Sequence, residues 1–172
     1  MPLPEAIALA TATAAGRPSV RFVLLKEVER DGFVFFTDGG SRKGRELTRN
    51  PHASFACYWD RIGKQVRVEG RVEPVTAEGA DAYWATRPRG SRLAALASSQ
   101  SGPLATRSVL VRRWQQLQRQ HAGGGVPRPK GWMGYRIVPS AIEFWTRGKD
   151  RLHHREVFRR TRSGWRRRLL QP

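Results

Sequence analysis

Apolar residues fall into short β-branched and aromatic runs near both ends of the chain and take helical spacing through the middle. Ala6–Ala14 is small and apolar and closes on an Ala15-Gly16-Arg17-Pro18 turn. Val20–Val28 reads as a buried strand, Arg30-Asp31-Gly32 as a hairpin turn and Phe33–Thr37 as the returning strand. Phe33 and Phe35 would share one face of that strand, Val34 and Phe36 the other. Ser41 is placed to cap a helix that stops at Asn50-Pro51. Two more strands follow, Ala53–Trp59 and Gln65–Val72, the second alternating Val66, Val68 and Gly70 with Arg67, Glu69 and Arg71.

The middle is helical. Thr76 caps a helix to about Thr86, Pro88 interrupts it, and Ser91–Ser98 continues. Ala105–His121 is the longest helical pattern, with Val109, Trp114 and Leu117 on or near one face. Gly123–Gly125 and the Pro127/Pro129 pair form a loop. Four short strands then read as Trp132–Val138, Ala141–Trp145, Glu156–Thr161 and Trp165–Leu169. Strands at both ends and helices between them predict an α+β fold with a mostly antiparallel sheet, closed as a barrel, in one domain over residues 1–172. There is no βαβ alternation, no GxGxxG and no P-loop.

Charge narrows the partners. The 172 residues carry 32 Lys+Arg against 14 Asp+Glu, a net +18. The chain is nearly neutral up to Asp81 and strongly basic after it, and no acidic residue lies between Asp81 and Glu143. Such a balance points to an anionic partner: nucleic acid, an acidic membrane or a phosphorylated small molecule. No RRM, KH or helix-turn-helix pattern supports nucleic acid. No apolar run is long enough to span a bilayer, and the amino terminus lacks the basic flank of a signal peptide. The lone Cys57 excludes an internal disulfide framework and fits a reducing cytoplasm.

Three clusters could carry chemistry. Ser41-Arg42-Lys43 at a helix start combines free N–H groups with two cations and suits a phosphate. Tyr83 and Arg87 share a helical face, and Arg87-Pro88-Arg89-Gly90-Ser91 adds a hydroxyl beside them. Arg151-Leu152-His153-His154-Arg155 joins groups that titrate near neutrality to groups that orient anions. Adjacent histidines on a strand face opposite ways and lack a third ligand, so no metal is expected. No catalytic triad or carboxylate pair is present, which leaves the chemistry to a cofactor.

Together, RFVLLKEVERDGFVFFTDGGSRKGRELTRNP, KQVRVEG, YWATRPRGSR, SSQS, IEFW…RLHHR and the terminal WRRRLLQP resemble the pyridoxamine 5′-phosphate oxidase family, in order and spacing, from about residue 6 to the end. The resemblance implies a split-barrel homodimer with FMN at the subunit interface, oxidising pyridoxine or pyridoxamine 5′-phosphate to pyridoxal 5′-phosphate by hydride transfer to flavin N5, with molecular oxygen reduced to hydrogen peroxide. It implies flavin contacts from Arg21, Phe22, Val23, Leu24, Leu25 and Lys26, with Arg21 at the FMN phosphate. Phe36, Thr37, Arg42, Lys43 and Gln65 would add to these, and so would Gln100, Ser101, Trp145 and Arg155. Substrate would be held by Lys26, Tyr83, Arg87 and Ser91 at its phosphate and by Arg151 and His153 at the pyridine ring and C4′, the last two as the catalytic pair.

The sequence also departs from the family pattern. The chain starts almost at the first barrel strand, where family members carry a further segment that partly covers the substrate, so no such cover is expected. His154 stands where the family has Asp, Met133 where it has Gly, and Phe36 where Tyr is common. Three alternatives remain: a related phenazine-pathway flavin oxidase, a flavin or pyridoxal-phosphate binder without turnover, and a nucleic-acid-binding module.

Overall fold

The computed structural model describes residues 3–172. The chain divides into two compact units. One comprises the chain up to Phe35, Glu46–Glu73 and Tyr135–Pro172; the other comprises Phe36–Arg45 and Pro74–Gly134.

The strands are β1 (Ala6–Ala12), β2 (Pro18–Val28), β3 (Phe33–Asp38), β4 (His52–Trp59), β5 (Lys64–Pro74), β6 (Trp132–Thr146), β7 (His154–Thr161) and β8 (Gly164–Leu169). They lie in the order β3-β2-β1-β4-β5-β6-β7-β8, and pairing of β3 with β6 closes six of them into a barrel. Strict alternation drives this. β1 buries Ile7, Leu9 and Thr11 and turns its alanines outward; Phe35, Phe55, Val68 and Ile137 are buried as well, and β3 buries both faces at once, with Val34 covered opposite Phe35. Gly16, at φ +77°, allows the tight turn from β1 to β2. Between β2 and β3 the register slips: Leu25 faces Phe35 but Glu27 faces Val34, so Lys26 sits in a β-bulge.

Trp132–Thr146 is one 15-residue strand, where two were expected on either side of Pro139 and Ser140. Proline usually breaks a ladder. Here the Ser140 hydroxyl donates to the Glu69 carbonyl at 3.0 Å, and β6 pairs with β7 from Ala141 onward. Gly70 permits the close approach of β5, since a Cβ there would lie 2.1 Å from the Val138 oxygen.

The second unit holds α2 (Ala77–Thr86), α3 (Arg89–Ala97) and α4 (Arg107–Gln120); α1 (Arg42–Arg49) begins in it. Thr76 caps α2 as expected, accepting from the Gly79 N–H at 3.2 Å. Pro88 is the cap of α3 rather than a gap, so that helix starts two residues early. Trp84, Leu93, Val126 and Trp132 form this unit's core, with Trp114 and Leu117 of α4 against it. Val109 is exposed instead of sharing that face: five residues place it about 140° from Trp114. Arg89 donates to the His121 and Gly124 carbonyls, so a cation sits at the negative end of α4.

Candidate functional site

In the second unit, Thr37 lies one residue before the end of β3 and Lys43 in the first turn of α1, which is capped by the Ser41 hydroxyl accepting from the Gly44 N–H at 3.3 Å. The helix turns Lys43 inward, where it is 6% exposed. Its ammonium lies 3.1 Å from Thr37 Oγ1, 3.3 Å from Ser41 Oγ and 2.7 Å from Gln100 Oε1. Thr37 also donates to Gln100 at 2.8 Å. Three predicted cofactor residues from separate stretches thus meet around one ammonium, while Arg42 on the next position is exposed. Ser101, beside Gln100, holds φ +67°, a left-handed backbone that is costly for a residue with a Cβ.

The same unit stacks rings. Phe36 lies on Tyr83 with centroids 4.0 Å apart and on Trp132 at 5.3 Å. The Arg87 guanidinium sits over the Trp132 ring at 4.8 Å and the Trp84 ring at 5.2 Å. Its Nη1 is buried with no hydrogen-bond partner, and its Nη2 reaches only the Ser91 carbonyl, at 3.5 Å. Burial lowers its pKa; Tyr83 opposes that shift and Arg92 adds to it. A cation with an unsatisfied buried donor, flanked by the Tyr83 ring and the exposed Ser91, is a place for an anion.

In the first unit Arg21 is engaged from within. Its Nη1 donates to Thr11 Oγ1 at 2.5 Å and to the Leu9 carbonyl at 3.4 Å, and its Nη2 donates to Ser19 Oγ and to Glu46 at 3.4 Å. Thr11 and Ser19 pass their own hydrogens to Glu46, at 2.5 and 2.6 Å. Arg21, Val23 and Leu25 alternate with the more exposed Phe22 and Leu24. Side chains of both sets cannot line one face of a ligand, so the run would meet a flavin through alternate side chains and backbone. The bulge re-aims the half-buried Lys26.

The carboxyl-terminal candidates also belong to this unit. The Trp145 ring lies 4.6 Å from His153, and Trp145 faces Arg155 across β6 and β7. Arg155 donates to Glu143 at 2.8 Å and to the Gln171 carbonyl at 2.9 Å. His153 Nδ1 accepts from the Gly148 N–H at 3.2 Å, so the neutral ring carries its proton on Nε2. Asp150 and Arg151 hold φ +52° and +64° in the tight loop before it. Gln65 is half-buried near the start of β5. No group of three or more His, Cys, Asp or Glu among the described residues could hold a metal. No helix among them is long and apolar enough to cross a membrane.

Glu46, Trp132, Arg92 and Glu143 were not anticipated. Glu46 had a signal: it shares a helical face with Lys43 and Leu47, both buried.

The closed antiparallel barrel with its helices defines a split-barrel type of α+β fold. The family model for pyridoxamine 5′-phosphate oxidase matches residues 2–121, and that for the pyridoxine 5′-phosphate oxidase C-terminal dimerisation region matches residues 132–172. The pyridoxine/pyridoxamine 5′-phosphate oxidase of Myxococcus xanthus is 50% identical over 98% of this chain and 82% of its own. That of Gluconobacter oxydans is also 50% identical, over 98% of this chain and 84% of its own. The crystal structure of PhzG from Burkholderia lata, in complex with tetrahydrophenazine-1-carboxylic acid, superposes with a TM-score of 0.94 at 37% identity, covering 98% of this chain and 83% of that one. The chain belongs to the pyridoxamine 5′-phosphate oxidase family and is an oxidase of that type.

Proposed function

We propose that this chain, acting as one FMN-binding domain over residues 1–172, oxidises pyridoxamine 5′-phosphate or pyridoxine 5′-phosphate to pyridoxal 5′-phosphate in the cytoplasm. The observation that carries the reading is Arg87: a half-buried guanidinium against two indoles, with one donor buried and unmet and Tyr83 and Ser91 beside it. That set matches a phosphate ester in charge and in donor type. The family resemblance also assigns Lys26 to the substrate phosphate.

The donors of the other cluster fit a phosphorylated, hydrogen-bonding cofactor. Lys43, Thr37 and Gln100 form a preset polar cluster, and Arg42 adds an exposed cation at the helix start. Bound FMN supplies the hydride acceptor, N5, and the route by which molecular oxygen is reduced to hydrogen peroxide. Ser101, Gln65, Trp145 and Arg155 complete its contacts in this reading. His153 Nε2–H donates to a substituent of the pyridine ring, because Nδ1 is already engaged by Gly148. Arg151 orients the ring so that C4′ faces the hydride acceptor.

A homodimer completes the site. β2 turns Val20, Phe22 and Leu24 outward, at 68%, 78% and 36% exposure, over Ala10, Ala8 and Ala6 of β1 in register. A second copy would cover this face, together with exposed Phe144 and Leu152 from the segment matched by the dimerisation region.

The likeness to PhzG supports a second reading, a phenazine-type flavin oxidase. The two part at the phosphate. With FMN-loaded protein and either phosphorylated vitamer, pyridoxal 5′-phosphate and hydrogen peroxide should form in equal amounts. No product from either vitamer removes the first reading. Turnover of a reduced phenazine carboxylate in its place would establish the second.

A further inference from the structure

We infer that Arg92 is a second guanidinium of the phosphate site, and that it sets the site's selectivity for the dianionic phosphate ester; this rests on the phosphate reading above. Arg92 lies in the second turn of α3, one residue after Ser91. Its Nε is buried without a hydrogen-bond partner, as is Nη1 of Arg87. These are the two buried side-chain nitrogens or oxygens left unmatched among the described residues. Buried polar groups are nearly always satisfied, so two unmet donors on neighbouring cations imply a missing acceptor.

Local carboxylates do not fill that role. Sequence from Ala82 to Ile142 contains no acidic residue. Asp81, at the start of that gap, is taken by Arg128 at 2.6 Å, and Asp38 accepts from the Gly40 N–H at 2.7 Å. Neither Arg87 nor Arg92 makes an ion pair among the described residues. Arg92 also pushes the Arg87 pKa down, as a like charge close by must. Two repelling guanidiniums are relieved by a ligand carrying two negative charges more than by one carrying a single charge. A phosphate ester reaches that state above its second pKa, near 6. Arg92 therefore adds to binding chiefly for the dianion.

The test compares wild type, Arg92→Gln and Arg92→Lys as FMN-loaded protein. Two readouts are used: KM and kcat for pyridoxamine 5′-phosphate from about pH 5 to 8, and the rise in melting temperature with inorganic phosphate. Arg92→Gln should raise KM about tenfold, the scale of one charge-assisted contact, with kcat within about twofold. It should also flatten the rise in KM below about pH 6 and shrink the phosphate-induced rise in melting temperature. Arg92→Lys keeps the charge and should show a smaller defect, which covers the case in which Arg92→Gln does not fold. Unchanged KM, pH profile and phosphate response in the variants would overturn the role of Arg92 alone. A wild type that neither responds to phosphate nor turns over the ester would overturn the phosphate reading itself.

Discussion

Glu46 shows how a single side chain can organise a strand end. It is 5% exposed and receives hydrogens from Thr11 and Ser19, each of which also accepts from Arg21. Every member of this network is satisfied, which is the condition for a buried charge to be tolerated. Glu46→Ala would leave Arg21 facing two hydroxyls with no counter-charge. The expected loss is about 2–3 kcal/mol, discounted because Arg21 keeps some solvent contact, read by urea denaturation. Gly70 is the steric counterpart. Gly70→Ala puts a methyl 2.1 Å from the Val138 oxygen, and β5 and β6 must separate at a cost of at least about 2 kcal/mol, visible as a lower melting temperature. Neither effect was legible from the sequence. Gly70 read as one more position of an alternating strand, and Arg21 as a ligand group, because its acidic partner lies 25 residues away on a helix.

At the scale of elements the sequence was more open. Period-2 runs bounded by Gly and Pro located the first strands within a few residues, because alternation is imposed by a one-sided interior. The reading failed at Pro139, where a hydroxyl and a close glycine restore what proline removes. It also could not see how the loop after β6 is held. Arg147 donates to Asp60 at 2.5 Å and to the Tyr58 hydroxyl at 2.6 Å, tying the base of the Arg151–His153 loop to the turn after β4. The Arg147 and Tyr58 hydrogen bonds lower the Asp60 pKa below its ordinary 3.8. A depressed carboxylate contributes stability above its unfolded pKa and loses it as pH falls through the folded value. Asp60→Asn should therefore unfold at lower temperature than wild type at neutral pH. The two melting curves should converge well below pH 4, where wild-type Asp60 is itself protonated. A difference that persists at such acidity would show that the link acts through shape rather than charge.

At the scale of the whole molecule, composition alone pointed at an anionic partner, from nucleic acid to a phosphorylated small molecule, and the proposed site narrows it to the last. Only a few of the 32 basic residues belong to the two phosphate-type clusters. The rest add to the net charge that any association of two copies must overcome. A homodimer brings together two chains of +18 each, so its electrostatic term opposes association, and in the proposed dimer the outward face of Val20, Phe22 and Leu24 supplies the attraction. These terms respond oppositely to salt. Raising ionic strength from about 0.05 to 0.5 M shortens the screening length and should tighten the dimer, whereas binding to nucleic acid would weaken steeply over the same range. Phe22→Asp puts a carboxylate at the most exposed apolar position of that face, over Ala8. Sedimentation should then report monomer at micromolar concentration, and the visible flavin spectrum should fade on gel filtration, since the proposed FMN site lies at the subunit interface. A Phe22→Asp protein that stays dimeric and yellow would move the interface off β2 and onto the segment after Trp132.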